Sequence, residues 1–134
     1  MQLDHLEDFT KRRIANADYL NAHLRNVATP KVPAGYRHVY HQYTIRIPAS
    51  RDEAASLLKA VGVGTGIHYP MPVHWQKLYR DLGYRDNLPV AEKASAEVLS
   101  LPIHPALTPE DLATIACEVS RLPSRITNVA AVAG

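Results

Sequence analysis

His38-Val39-Tyr40-His41-Gln42-Tyr43-Thr44-Ile45-Arg46-Ile47, residues 38–47, alternates along its length. Val39, His41, Tyr43, Ile45 and Ile47 share one face; His38, Tyr40, Gln42, Thr44 and Arg46 share the other. Period two with β-branched and aromatic residues describes a strand with one wetter face. Pro48 ends it, having no N–H for a ladder. His41 falls on the apolar face, where it reads as a hydrogen-bonded core histidine rather than a ligand.

Helical patterns flank this strand. On its N-terminal side Leu3, Leu6, Phe9, Ile14, Ala17, Leu20 and Leu24 recur at spacings of mostly three and four, giving a helix over about residues 2–26. Its stripe drifts around Thr10 to Arg13, so the first turns form a separate segment. Pro30, Pro33 and Gly35 break the chain before the strand. On the C-terminal side Ser50 and Glu53 have capping-box spacing, Ala54, Leu57, Leu58 and Val61 make a stripe, and Gly62 stands at C′. A helix over residues 51–61 follows.

The remaining elements are shorter. Thr65 to Tyr69 reads as a strand running into a loop fixed by Pro70 and Pro72. A helical turn over Trp75 to Leu82 ends at Gly83. Pro89 is placed at N1 of a helix carrying Val90, Ala91, Ala94 and Val98. Residues 100–105, Ser-Leu-Pro-Ile-His-Pro, are extended. Thr108 caps a last helix with Leu112, Ile115, Ala116, Val119 and Leu122 inward. The tail from Ser124, residues 124–134, is small and polar and is expected to fray. The expected fold is α+β: one domain over residues 1–134, with a small three-stranded mixed or antiparallel sheet covered by helices.

Composition narrows the function. A chain of 134 residues with 46% apolar and 21% charged residues is an ordinary globular domain, not a disordered one. The single Cys excludes an internal disulfide framework and fits a reducing cytoplasm. Net charge is only +2, and the one basic run, Lys11-Arg12-Arg13, has Glu7, Asp8 and Asp18 around it. That is a solvated helix face, not a nucleic-acid surface. No apolar run approaches the ~18–20 residues of a membrane span, and the N-terminus has no signal-peptide core.

Chemistry concentrates in Ile67-His68-Tyr69-Pro70-Met71-Pro72-Val73-His74. Prolines pre-set the backbone, which lowers the entropy lost in holding side chains toward a ligand. The plain alternative is a proline-rich turn with incidental polar residues. Metal binding is not indicated: His38 and His41 face opposite sides of a strand, and His68 and His74 lack a third ligand. Gly62, Gly64 and Gly66 follow a helix and precede a strand, the reverse of a phosphate-cradling turn. Cys117 lies off its helix's stripe, without a nucleophile's neighbours, and none of the five lysines sits in an apolar run that would desolvate it.

Taken in order, HVYHQYTIRI, SRDE, GVGTGIHYPMPVH, LGY, LPVAEKASAEVLSLPIHPALT and ED resemble the C-terminal domain of DegT/DnrJ-type sugar aminotransferases, from about Arg13 to about Val119. The most specific parts are Gly66 to His74 and Ala91 to Pro105. The resemblance implies a fold-type I, pyridoxal-phosphate (PLP)-dependent family that moves an amino group, usually from glutamate, onto a nucleotide-linked keto-sugar. It implies a homodimeric active site, with the cofactor on a lysine of a large domain and a small domain closing the substrate cleft. His68 and Tyr69 match the positions facing the nucleotide-sugar, and His74 the later histidine of that loop. The large domain, the cofactor lysine, the acidic partner of the pyridine nitrogen and the phosphate-binding serine/threonine segment have no counterpart here. Trp75-Gln76-Lys77-Leu78-Tyr79 departs from the family's Gln-Pro-Ala-Tyr pattern. The expectation is a substrate-closing domain, excised or from a truncated frame, that binds no cofactor alone and partners a large domain or a second copy. A stand-alone interaction or ligand-binding module with this fold is the alternative.

Overall fold

The computed structural model describes residues 2–48 and 50–122. The described residues form five helices and one antiparallel pair of strands, with three of the helices between the strands in sequence: α1 (Leu6–His23), β1 (Tyr43–Arg46), α2 (Arg51–Ala60), α3 (Lys77–Asp81), α4 (Pro89–Glu97), β2 (Val98–Leu101) and α5 (Pro109–Ser120). A 3-10 turn over Gln2–His5 precedes α1, and another over Val73–Trp75 precedes α3. The frayed tail expected from Ser124 lies outside the described residues.

β1 and β2 pair antiparallel, with Tyr43 opposite Leu101, Thr44 opposite Ser100, Ile45 opposite Leu99 and Arg46 opposite Val98. Tyr43, Ile45, Leu99 and Leu101 therefore share a face, and all four are buried. Ala17 and Leu20 of α1, Ala54 and Leu58 of α2, and Leu112, Ile115, Ala116 and Val119 of α5 belong to the same cluster. Each buried Leu or Ile contributes roughly 1.5–3 kcal/mol of transfer free energy. The Tyr43 hydroxyl still finds a partner, donating to Asn21 Oδ1 at 2.7 Å. Burial holds that phenol well above its ordinary pKa.

The expected third strand is reduced to one residue. Gly66 N–H donates to Ser100 O at 3.0 Å and Ser100 N–H to Gly66 O at 2.7 Å. Beyond it Pro70 and Pro72 have no N–H to give, so no ladder develops. On the outer edge of β1, Ala28 makes a similar lone bridge to Arg46. Among the described residues the sheet is two-stranded, with a bridge on either flank.

Residues 38–42 also depart from the expected alternation. Tyr40 takes φ 48°, in the left-handed region, and its N–H goes to His38 Nδ1 at 2.9 Å instead of a neighbouring strand. The turn inverts the phase: Tyr40 is buried, while Val39 and His41 are exposed. His41 is not a core histidine.

The helix boundaries follow local chemistry. Thr108 caps α5 in a capping box: its hydroxyl accepts from Asp111 N–H at 3.2 Å, and the Asp111 carboxylate accepts from Thr108 N–H at 2.9 Å. The box expected at Ser50 and Glu53 does not form. Ser50 sits at φ 60°, and its side chain makes no cap bond, because an N-cap needs extended backbone to reach the first-turn N–H groups. Val98 begins β2 rather than closing α4. The buried Arg51 guanidinium takes the carbonyls of Ser95 at 3.3 Å and Val98 at 3.2 Å, which satisfies the helix end. Arg46 pairs with Glu97 at 2.8 Å. These two arginines explain why Ser95 and Glu97 are the buried residues of α4 while Val90 is exposed. The N-terminal break falls between His5 and Leu6, ahead of the drift at Thr10 to Arg13, and Leu3, Leu6 and Phe9 are exposed.

Candidate functional site

The second face of the sheet carries Thr44, Arg46, Val98 and Ser100, and the loop from Gly66 to His74 begins beside it. Thr44 Oγ1 lies 2.9 Å from Ser100 Oγ, and Ser100 Oγ lies 3.1 Å from His68 Nδ1. A short polar chain thus runs from β1 through β2 to the first histidine of the loop. The His68–Tyr69 peptide is cis. Tyr69 stands edge-on to the His68 ring with centroids 5.9 Å apart, and is 73% exposed.

The far end of the loop is fastened to α4. His74 Nε2 lies 3.0 Å from Glu92 Oε1, with only 10% of the histidine side chain exposed. The same carboxylate oxygen accepts the Leu88 N–H at 3.0 Å, where α4 starts. Hydrogen bonds from His74 first, and from Leu88 second, hold the Glu92 carboxyl below its ordinary pKa. Glu92 therefore joins the loop's last residue to the first turn of a helix.

His68, Tyr69 and His74 border one cavity of about 590 Å³, with Met71, Val73 and Tyr84 among its other walls. Those three are the residues the sequence singled out, and the fold brings them together. They do not present alike. Tyr69 projects, His68 has one ring nitrogen engaged by Ser100, and His74 is turned onto Glu92. A second cavity of about 820 Å³ meets the first at His68 and is bordered by Arg13, His41, Ser100, His104 and Asp111. Hydrogen bonds from the backbone and then the side chain of Thr108 lower the Asp111 carboxyl.

Sequence reasoning passed over Thr44, Ser100 and Glu92. The signal for Ser100 was present in Val98-Leu99-Ser100-Leu101, which alternates as Thr44 does in β1. Glu92 carried none, because its partner lies 18 residues away across a loop. Among the described residues no group of three or more His, Cys, Asp or Glu is arranged to hold a metal, and no helix is long and apolar enough to cross a membrane. Lys11, Lys31, Lys59, Lys77 and Lys93 are all exposed, and none borders either cavity.

Residues 1–120 match the DegT/DnrJ/EryC1/StrS aminotransferase family. The chain belongs to that family. It is 42% identical to a pleiotropic regulatory protein of Geobacillus stearothermophilus, over 82% of this chain and 31% of the relative. It is 38% identical to a UDP-N-acetyl-3-dehydro-alpha-D-glucosamine 3-aminotransferase of Acidithiobacillus ferrooxidans, over 90% of this chain and 32% of that enzyme. The crystal structure of the aminotransferase TlmJ from Streptoalloteichus hindustanus superposes with a TM-score of 0.82 at 34% identity, covering 93% of this chain and 34% of TlmJ. The chain spans about a third of the length of these relatives.

Proposed function

We propose that this chain is the substrate-closing part of a PLP-dependent nucleotide-sugar aminotransferase, and that it does not catalyse amino transfer alone. The observation that carries the reading is the convergence of His68, Tyr69 and His74 on one cavity in a chain of this family. His68 and Tyr69 are the hydrogen-bonding walls for the sugar-nucleotide. An imidazole nitrogen and a phenol hydroxyl suit sugar hydroxyls, and the aromatic faces suit the ring's C–H edges. His74 acts on the ligand through the loop it anchors.

The residues present do not fit the cofactor. A lysine bonded to PLP needs a cavity closed around it; Lys11, Lys31, Lys59 and Lys77 are exposed and border neither cavity, and Lys93, on the rim of a third of about 510 Å³ beside Arg46 and Glu97, stays 71% exposed with its ammonium 3.9 Å from Glu97 Oε1. The amino-transfer chemistry belongs to a partner. The partner is a large domain carrying that lysine, with a second copy of the assembly completing the cleft. Tyr69, Met71, Val73, Leu78, Leu82 and Tyr84 are all exposed within one stretch of chain, an apolar band suited to covering by another polypeptide. The same band supports the second reading, a stand-alone interaction module. Either reading carries a cytoplasmic location with it.

The deciding experiment is a spectral titration with pyridoxal phosphate and glutamate, on this chain alone and with a separately expressed large domain of a relative. Alone, no lysine–cofactor band and no transamination are expected; with the large domain, turnover is. A borohydride-trapped adduct on a unique lysine of this chain, with turnover, overturns the proposal. For the band, light scattering should show self-association or capture of the large domain, and a strict monomer that ignores the large domain counts against both readings.

A further inference from the structure

Three residues behind the loop have no part in the reading above: Gly66, Ser100 and Thr44. Ser100 is buried at 6% exposure in the middle of β2. Its backbone pairs with Gly66 on one side, and its side chain stands opposite Thr44 on the other. The Ser100 hydroxyl reaches His68 Nδ1 at 3.1 Å and Thr44 Oγ1 at 2.9 Å. A hydroxyl has one proton to give and two lone pairs to receive with, so it can bond both neighbours at once: either oxygen of the Thr44–Ser100 pair can donate, and the direction to Nδ1 follows the His68 tautomer. The Thr44 hydroxyl gives the Ser100 hydroxyl a second partner on the β1 side.

Gly66 supplies the space. A Cβ on Gly66 would lie 2.6 Å from His68 Cε1 and 3.3 Å from Nδ1, closer at Cε1 than real contacts go. The His68 ring therefore occupies the volume that a side chain at residue 66 would fill. The backbone bridge to Ser100 keeps Gly66 against the sheet, so the residue that makes room and the hydroxyl that holds the ring are tied to each other.

We propose that Ser100 is the positioning residue of His68: its hydroxyl, backed by Thr44 and given room by Gly66, holds the ring by Nδ1 and leaves Nε2 as the edge offered to a ligand. The value of that edge rests on the reading of His68 as a substrate-facing residue. The positioning itself does not, and it is measurable without ligand. Ordering the ring in advance lowers the side-chain ordering cost that binding has to meet.

The test is NMR on the full 134-residue chain at about pH 8, where an ordinary imidazole is neutral. The unmodified protein should show a single His68 χ1 rotamer by three-bond couplings, strong NOEs from His68 Hε1 to the Gly66 Hα protons, and one tautomer in the long-range 1H–15N spectrum. Ser100→Ala should lose the NOEs, average the couplings and mix the tautomers, with amide shifts elsewhere unchanged. Ser100→Thr keeps the hydroxyl and should restore all three signatures. Averaged couplings in the unmodified protein overturn the proposal before any variant is made. So do intact signatures in Ser100→Ala, or a Ser100→Thr that behaves like the alanine variant. Titration with UDP-N-acetylglucosamine, as a nucleotide-sugar probe, tests the other claim separately. A fixed ring with no shift at His68 or Tyr69 leaves the positioning role standing and removes the sugar-nucleotide reading.

Discussion

The two faces of the β1–β2 pair come from the same two short strands, four residues to a face, yet one face serves the core and the other the loop. Tyr43, Ile45, Leu99 and Leu101 point at α1, α2 and α5 and are sealed in the core. Thr44 and Ser100, one residue along in each strand, point at the loop and join His68 through hydroxyls. Burial on the first face is non-directional and scales with apolar area, so almost any close-packed set of the right volume serves. Hydrogen bonds on the second are directional and contribute about 0.5–1.5 kcal/mol each, so they decide where a ring sits more than whether the chain folds.

The largest effect expected is on the core face. Leu99→Ala removes a fully buried side chain and should cost about 2–5 kcal/mol, read as a lower urea midpoint with an unchanged slope. A loss under about 1 kcal/mol would mean this face is not the core it is taken for. Next comes the loop side. Gly66→Ala forces the His68 ring out of its place, an overpacking worth about 1–3 kcal/mol, and should also abolish the His68–Gly66 NOE pattern. Retained ring geometry there would break the contrast between the faces.

Thr108→Ala, which loosens a helix covering the core, should cost about 1 kcal/mol, whereas Ser50→Ala should change stability by less than about 0.5 kcal/mol, since Ser50 makes no cap bond. Equal losses in thermal unfolding of the two variants would contradict the cap assignment. The smallest effect is pH-dependent and marks both sides. Glu92 and Asp111 have lowered pKa values, so the ionised forms favour the fold. That contribution is complete above their ordinary pKa values of 4.5 and 3.8, and is lost as pH falls through the lowered folded values. On acidification, amide shifts of the loop around His74 should follow Glu92, and those at the start of α5 should follow Asp111. Glu92→Gln should remove the loop transition and leave the other.

Much of this was legible in the residues. Pro89 at the start of α4, Gly62 after α2, the cap at Thr108 and the inward stripe of α5 all rest on local signals, and the structure keeps them. So was the loop at His68, Tyr69 and His74, because clustered polar residues between prolines are a composition signal. What failed did so for lack of a local cause. Residues 38–42 alternate as a strand should, but among the described residues no neighbouring strand pairs them, and Tyr40 turns instead. Ser50 has the spacing of a cap but not its backbone. A third strand was expected from Thr65 to Tyr69, and only Gly66 reaches a partner.

By itself the sequence determined most of the helices, their apolar stripes and the stretch of chain that carries the candidate residues His68, Tyr69 and His74. Periodicity and capping act within a few residues and need nothing remote. The tertiary structure decided which of those residues meet. Ser100 reaches His68 across 32 residues and Glu92 reaches His74 across 18, so neither pairing is written in any window of the chain. It also separated three candidates of equal standing in sequence: Tyr69 projecting, His68 held by one nitrogen, His74 spent on an anchor. The physical reason is that a hydrogen bond is satisfied by geometry, and geometry between distant residues exists only once the core has packed.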